Sequence, residues 1–264
     1  MPPAKRRART YDPAKIRAAV TGQFDHVHAA VRTLTDEQLA RPTHLGDWTV
    51  RELVAHIAMT VESVSQFVDL DEPARQEADP HGLLFASAGV AEQVADGMQR
   101  LAEREPDLDA FFTRTAERLA ERIAAVPGER LVWTPPGAMT LTDYLVTRTV
   151  ELVVHTDDLN RAAGLDIPYE RQALAACTRL LADALAVKAP GASTEVRVPP
   201  YAVVQCVEGP RHTRGTPPNV VETDPLTWIR LATGRTEWKT ALDEAKVAAS
   251  GERADLSALL PLMS

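Results

Sequence analysis

Four polar side chains recur at helical spacing in a stretch of this 264-residue chain that is otherwise mostly apolar. Arg148, Glu151, His155 and Asp158 follow one another at steps of three, four and three residues, which places them along one face of a helix. A helix that is apolar on most of its surface is expected to be buried. Because buried charges are costly unless they are paired or bind a metal, the pattern predicts one of two arrangements. Either Glu151 and His155 bind a metal, or Arg148–Glu151 and His155–Asp158 form an internal ladder of ion pairs.

His56 is the third candidate ligand. It lies on a second amphipathic helix, at the edge of the apolar face beside Leu53 and Thr60. Packing of the two helices in a bundle would bring this imidazole to Glu151 and His155. Two histidines and one carboxylate form a catalytic zinc set with one open position, and they also resemble the facial triad of non-haem iron. The alternative, a core histidine satisfied by its neighbours, stays open on spacing alone. The remaining histidines are less well placed: His26, His28, His44, His81 and His212.

The elements that must position these residues are helical in the first half of the chain. Thr49 and Glu52 form a capping-box pattern at the start of the helix that carries His56. Thr140 is placed to cap the helix of Glu151 and His155, which runs to about Gly164. The predicted helices cover about 12–34, 49–68, 86–104, 107–125 and 140–164, with a loop at 69–82. Such helices favour an up-and-down bundle.

The second half mixes helices with short β-branched runs, a texture that indicates an α+β domain. Helices are predicted at 171–187, 226–233, 236–245 and 254–260, and strands at 194–198, 202–207, 220–222 and 247–250. The boundary is expected near 165–169. The predicted organisation is a disordered basic tail at 1–11, a four-helix bundle at 12–165 and a smaller α+β domain at 166–264.

Charge and composition exclude several classes of protein. A net charge of −8 argues against binding to a nucleic-acid backbone. No apolar stretch approaches the roughly 20 residues that a membrane helix needs, and the first residues lack the apolar core of a secretory signal. With two cysteines, Cys177 and Cys206, in no metal-binding pattern, a reducing cytoplasm is the expected compartment. No nucleophile elbow, phosphate-binding loop or dinucleotide fingerprint is present.

Two motifs resemble those of the mycothiol-dependent maleylpyruvate isomerase family, which has a DinB-like helical bundle. Residues 45–56, Leu-Gly-Asp-Trp-Thr-Val-Arg-Glu-Leu-Val-Ala-His, resemble its opening motif. In that motif a tryptophan, here Trp48, precedes a capped helix that carries a metal-binding histidine. Residues 151–159, Glu-Leu-Val-Val-His-Thr-Asp-Asp-Leu, resemble its second motif, E-x-x-x-H-x-x-D-L.

The resemblance, which covers about 12–164, implies that His56, Glu151 and His155 bind a divalent metal, usually zinc. It also implies mycothiol, a small sugar–cysteine thiol, as the cofactor. Coordination to a metal deprotonates a thiol. The thiolate would then attack an electrophilic carbon, either in S-transfer or in an addition followed by bond rotation in a cis–trans isomerisation.

The second half resembles the partner domain of the same family, which has a sterol-carrier-protein-like fold. The residues that carry this resemblance are 224–235, 247–251 and 254–261. Family members use an arginine of this domain near the metal cleft. The resemblance therefore makes Arg230 and Arg235 candidates for a catalytic role.

Two stretches depart from the pattern expected of the family, 199–201 and 209–219. The second is rich in glycine and proline and holds Arg211, His212 and Arg214 close together. Arginine forks match carboxylates, so this stretch is interpreted either as a contact for a substrate carboxylate or as a solvated loop between strands.

The expected partners are a small-molecule thiol and an electrophilic or acidic substrate. Arg148 and Asp158, together with Arg211 and Arg214, are the candidates for cofactor binding; Asp158 would hydrogen-bond a metal ligand or pair with Arg161. The main alternative function is a carrier that binds a sterol or acyl ligand without catalysis, since fold does not determine function. A bundle with only a regulatory or structural use is the third hypothesis.

Overall fold

The computed structural model describes residues 9–86, 91–209 and 218–263, with the backbone alone at 91–96. Helices make up most of the first part of the chain. They are α1 (Pro13–Val31), α2 (Asp36–Leu39), α3 (Val50–Val68), α4 (Pro80–Ala86), α5 (Ala91–Arg104), α6 (Leu108–Ala124) and α7 (Leu141–Ala163). Two short strands, β1 (Leu131–Val132) and β2 (Met139–Thr140), pair antiparallel just before α7.

Local capping explains where the main helices begin and end. Asp12 accepts a hydrogen bond from the backbone N–H of Lys15 at the start of α1. Thr140 does the same for Asp143 at the start of α7, and Gly164 ends α7 in the left-handed conformation (φ +69°) that glycine adopts freely. The five helices predicted for this half are confirmed within the described residues, and positions 87–90 of the helix predicted at 86–104 lie outside them. The loop prediction at 69–82 is wrong at its end, because α4 begins at Pro80.

Helix α7 lies at the centre of the molecule. It packs against α1, α3, α4 and α8 (Arg171–Lys188). Apolar side chains of all these helices join one continuous core that also extends into the second half of the chain. Because neighbours cover α7 on most of its surface, several of its polar residues are buried as well, among them Arg148, His155, Asp157 and Asp158.

A four-stranded sheet forms the second part of the chain. Its elements are β3 (Thr194–Val198), β4 (Ala202–Cys206), β5 (Val220–Thr223), α9 (Pro225–Ala232), α10 (Trp238–Asp243) and β6 (Val247–Ser250). The strand order is β4-β3-β5-β6, in which β3 and β5 run parallel and the other pairs antiparallel. Buried and exposed residues alternate along β4, and α8 packs against its buried face. The mixed α+β character predicted for this half is confirmed.

The predicted final helix at 254–260 is wrong, since only a single turn of 3₁₀ helix forms at Ser257–Leu259. A segment this short cannot offset the nucleation cost of an α-helix, and Pro261 restricts the residue before it to extended backbone. The backbone N–H groups of Leu262 and Met263 instead hydrogen-bond the carbonyl of Ala232, which ties the end of the chain to α9.

Helix α8 connects the two parts of the fold. It packs on α1 and α7 on one side and on β4 and α9 on the other. The domain boundary near 165–169 therefore stays a prediction, because the apolar core continues across it. None of the described helices is both long and apolar enough to cross a membrane.

Candidate metal centre

Helices α3 and α7 bring the three candidate ligands together. The Glu52 carboxylate accepts a hydrogen bond from the backbone N–H of Thr49, as the capping-box pattern predicted, and this fixes the start of α3 two turns before His56. Glu151 and His155 lie one turn apart on the face of α7 that packs against α3. Both imidazoles are buried, and Glu151 is partly buried between them.

The ligand atoms of His56, Glu151 and His155 all lie within 4.8 Å of one another. Nε2 of His155 is 3.3 Å from the Glu151 Oε2 atom, and Nε2 of His56 is 3.6 Å from the same oxygen. The two rings stand edge to face with centroids 4.8 Å apart. These N–O separations are longer than the usual 2.7–3.2 Å of an N–H···O hydrogen bond. The three ligand atoms thus lie close together without forming hydrogen bonds of ordinary length to one another.

Asp158 determines which ring nitrogen of His155 is available to bind a metal. Its Oδ2 atom lies 3.0 Å from Nδ1 of His155. Burial alone would raise the pKa of Asp158, but His155 and Arg235 outweigh it and hold that pKa well below its usual value. An ionised carboxylate can only accept, so Nδ1 carries the proton and Nε2 faces Glu151. This carboxylate–histidine pairing is typical of metal sites in proteins.

The protonation states of Glu151 and His56 also suit a ligand set, whereas His155 would have to lose a proton to a bound metal. Burial lowers the pKa of His155, but Asp158 and Glu151 outweigh burial and raise it. Burial would raise the pKa of Glu151, but the two imidazoles and Arg148 outweigh it and place that pKa well below its ordinary value. Burial is the main reason that the pKa of His56 is lowered. A charged carboxylate and a neutral imidazole are the forms that bind metal ions. One nitrogen of His56, Nδ1, is buried without a hydrogen-bond partner among the described residues.

Arg148 completes the polar face of α7. Its Nη2 atom lies 3.7 Å from Glu151 Oε1, and its guanidinium group stands 4.7 Å from the centroid of the Tyr144 ring. The contacts of the predicted ion-pair ladder, Arg148–Glu151 and His155–Asp158, are therefore both present. The ladder does not account for His56, however, whose Nε2 atom faces the same carboxylate from another helix.

The two candidate arginines of the second half both bind aspartates of α7. Arg235 contacts Asp158 through Nε (3.2 Å) and Nη2 (2.8 Å), so Asp158 pairs with Arg235 rather than with Arg161. Arg230 contacts the neighbouring Asp157 through Nε (2.8 Å) and Nη2 (2.6 Å). The candidates Arg211 and Arg214 lie outside the described residues.

Sequence reasoning did not assign two aromatic residues to this site. The ring of Trp48 lies 5.1 Å from the ring of His56, and Tyr144 lies under Arg148 while its hydroxyl is 2.7 Å from Oγ of Ser63. The i,i+4 spacing of Tyr144 and Arg148 was the available signal for the second contact. Nothing local indicated the first, because Trp48 precedes α3 and reaches His56 through the turn that leads into the helix.

Comparisons with known proteins match both parts of the chain. The sequence model described as "Mycothiol maleylpyruvate isomerase N-terminal domain" matches residues 20–160, just over half of the chain. The model described as "Bacterial SCP ortholog" matches residues 170–262. A search of curated proteins gave no significant match.

Two similar solved structures are crystal structures of a mycothiol-dependent maleylpyruvate isomerase and of a histidine-to-alanine mutant of it. Each has a TM-score of 0.60 at 16% sequence identity, and each alignment covers 93% of this chain and 95% of the other. At this identity the likeness concerns the fold. It confirms the predicted fold class, a helical bundle followed by a smaller α+β domain.

Proposed function

Because the chain belongs to the mycothiol maleylpyruvate isomerase family, as its motifs predicted, we propose that it is an enzyme that uses the thiol mycothiol at a divalent metal site. His56, Glu151 and His155 would hold the metal. The observation that carries the proposal is the convergence of their three ligand atoms within 4.8 Å from two separate helices. Two nitrogens and one carboxylate oxygen suit zinc, with a fourth position left open.

When bound, the metal supplies the positive charge that keeps a thiol as the thiolate, the form that attacks electrophilic carbon. The protein's own thiols are poorly placed for this role. Cys177 and Cys206 are both fully buried, and burial raises the pKa of Cys177 far above its usual value. A small thiol from solution is therefore the reasonable nucleophile. Isomerisation of an electrophilic substrate is the reaction that we favour, with S-transfer as the second possibility.

The chain's own residues would bind and orient the reactants. Arg148 is buried beside Glu151, and among its described contacts only Nε donates a hydrogen bond, to Thr147 Oγ1 (3.3 Å). Its remaining N–H groups suit the acid group of a substrate or of the thiol. Trp48 packs on His56 and would keep water from that ligand. Arg211 and Arg214 remain proposed contacts for an acid group.

A lipid carrier is supported less well. A groove of about 460 Å³ lies on the C-terminal part of the chain between α10 and the segment that follows β6. Its wall includes Trp238 and Leu242, but also the charged Lys239 and Asp255, and the groove is open to solvent rather than enclosed. A sterol or acyl chain needs a largely apolar, enclosed site. The groove thus favours a carrier function less than the ligand cluster favours a metal enzyme.

Metal binding by the purified full-length protein tests the proposal. The wild type should bind about one equivalent of zinc per chain, and His56→Ala should bind none. His28→Ala is the matched control, because His28 is also a buried histidine of the bundle, 2.7 Å from a carboxylate of Asp109, but lies outside the cluster. Zinc-dependent binding of mycothiol and turnover of a cis-configured acidic alkene would follow. A wild-type protein that takes up no divalent metal would overturn the proposal.

A further inference from the structure

Arg235 connects the C-terminal part of the chain to the candidate metal centre of the bundle. We propose that Arg235 is a positioning residue that orients His155 through Asp158, so that the C-terminal part controls the metal affinity of the bundle. This inference rests on the proposed function, since it assigns Arg235 a role at the same metal site. On this proposal the function of the α+β part is to support the metal centre rather than to bind a lipid.

The contacts form an unbroken chain of short distances. Arg235 grips both carboxylate oxygens of Asp158, at 3.2 Å through Nε and 2.8 Å through Nη2. The Oδ2 atom bound by Nη2 is the same atom that accepts from Nδ1 of His155 at 3.0 Å. The Asp158 side chain is only 3% exposed, so water competes little for these bonds. Two-point binding by a guanidinium fixes the plane of a carboxylate as well as its position.

The guanidinium of Arg235 is itself held in place. Its Nη1 atom donates to the carbonyl of Thr233 at 2.7 Å, and its backbone N–H donates to the carbonyl of Arg230 at 2.7 Å. Gly234 has a φ of +73°, which lets the chain turn tightly after α9. The C-terminal part therefore fixes the position of Arg235 through two bonds of its own, in addition to the contact with Asp158 of α7.

The consequence for His155 follows from its two ring nitrogens. Because Asp158 holds the proton on Nδ1, Nε2 is left facing Glu151, 3.3 Å from Oε2. Without Arg235, Asp158 would be a buried carboxylate with one fewer cation, and its orientation would be fixed only by its bond to His155. Loss of such an outer hydrogen bond to a ligating histidine typically weakens metal binding about 10–100-fold.

Asp157, the residue directly before Asp158, provides a matched control. Asp157 is likewise 3% exposed and is likewise gripped by an arginine of the C-terminal part, Arg230, at 2.6 and 2.8 Å. One residue along a helix is a rotation of about 100°, so Asp157 points away from the ligand face. It meets the hydroxyl of Tyr169 at 3.1 Å instead. Both pairs join the same two parts of the chain, but only the Asp158 pair contacts a candidate ligand.

The test compares Asp158→Asn and Arg235→Gln with Asp157→Asn in the full-length protein. Zinc affinity is measured by competition with a chromophoric chelator, and the visible spectrum of Co²⁺ reports the ligand geometry. We expect about 10–100-fold weaker zinc binding and an altered Co²⁺ spectrum for the first two variants. Asp157→Asn should bind zinc within about twofold of the wild type, although it lowers the melting temperature in chelator as much as Asp158→Asn does.

Arg235→Lys keeps the charge but loses the two-point hydrogen bonding to Asp158. Its zinc affinity should therefore lie between those of Arg235→Gln and the wild type. It also serves as the test variant if Asp158→Asn does not fold. Wild-type zinc affinity in Asp158→Asn and Arg235→Lys, or an equal loss in Asp157→Asn, overturns the positioning role. A wild type that binds no zinc instead overturns the proposed function, so the two failures are distinguishable.

Discussion

Replacement of Glu151 by alanine separates the metal site from the ion-pair ladder. The carboxylate lies 3.3 Å from His155, 3.6 Å from His56 and 3.7 Å from Arg148. Removal of one partner from a buried ion pair costs roughly 3–5 kcal/mol. Because these distances exceed hydrogen-bond length, we expect the low end, about 3 kcal/mol, in a chelator. On the ladder hypothesis, the same loss appears whether or not zinc is present.

On the metal hypothesis, the free energy of unfolding also depends on the zinc concentration. A ligand at 100 times its dissociation constant stabilises the folded state by about 2.7 kcal/mol. For a chain of this size that corresponds to a rise in melting temperature of about 5–11 °C. Because Glu151→Ala loses the only anionic ligand, it should show no such rise. Wild type and variant would then differ by about 3 kcal/mol in chelator and by about 6 kcal/mol in zinc.

Thermal melts of both proteins, each with zinc and with chelator, measure this difference. Asp109→Ala is the control, since Asp109 also contacts a histidine (His28, 2.7 Å) and an arginine (Arg32, 2.8 Å) but lies on the outside of the bundle. It should keep the zinc-dependent rise of the wild type. The metal hypothesis is wrong if wild-type melts in zinc and chelator coincide and Glu151→Ala loses the same stability in both.

Further predictions concern the neighbouring residues. His155→Ala should abolish the zinc-dependent rise as Glu151→Ala does, and isothermal titration with zinc checks this. Arg148→Gln should raise the KM for an acidic substrate about 10–150-fold, as the loss of a charged hydrogen bond of about 1.5–3 kcal/mol implies; an unchanged KM contradicts the role assigned to it. Cys177 should resist thiol reagents until the protein unfolds, because burial raises its pKa; rapid labelling of the native protein would contradict this.

The sequence alone determined the long helices of the first half and the residues of α3 and α7 that face the site. The three- and four-residue spacing along α7 is a local property, because side chains at i, i+3 and i+4 share a face whatever surrounds the helix. It placed Glu151 and His155 together, and the capping pattern at Thr49 set the position of His56 along α3. The family motifs then named these three residues as ligands. Each of these inferences depends on residues within one helix or one short motif.

The tertiary structure alone decided which residues from distant parts of the chain the polar side chains of α7 contact. Asp158 contacts the candidate ligand His155, as its spacing predicted, but its cation is Arg235, 77 residues further along the chain, and not Arg161. The ring contact between Trp48 and His56 and the absence of a final helix at 254–260 were also unforeseen. Such contacts depend on how α7, α8 and α9 pack around one continuous core. No spacing within a single helix encodes that packing, because it arises only when distant segments bury their apolar faces together.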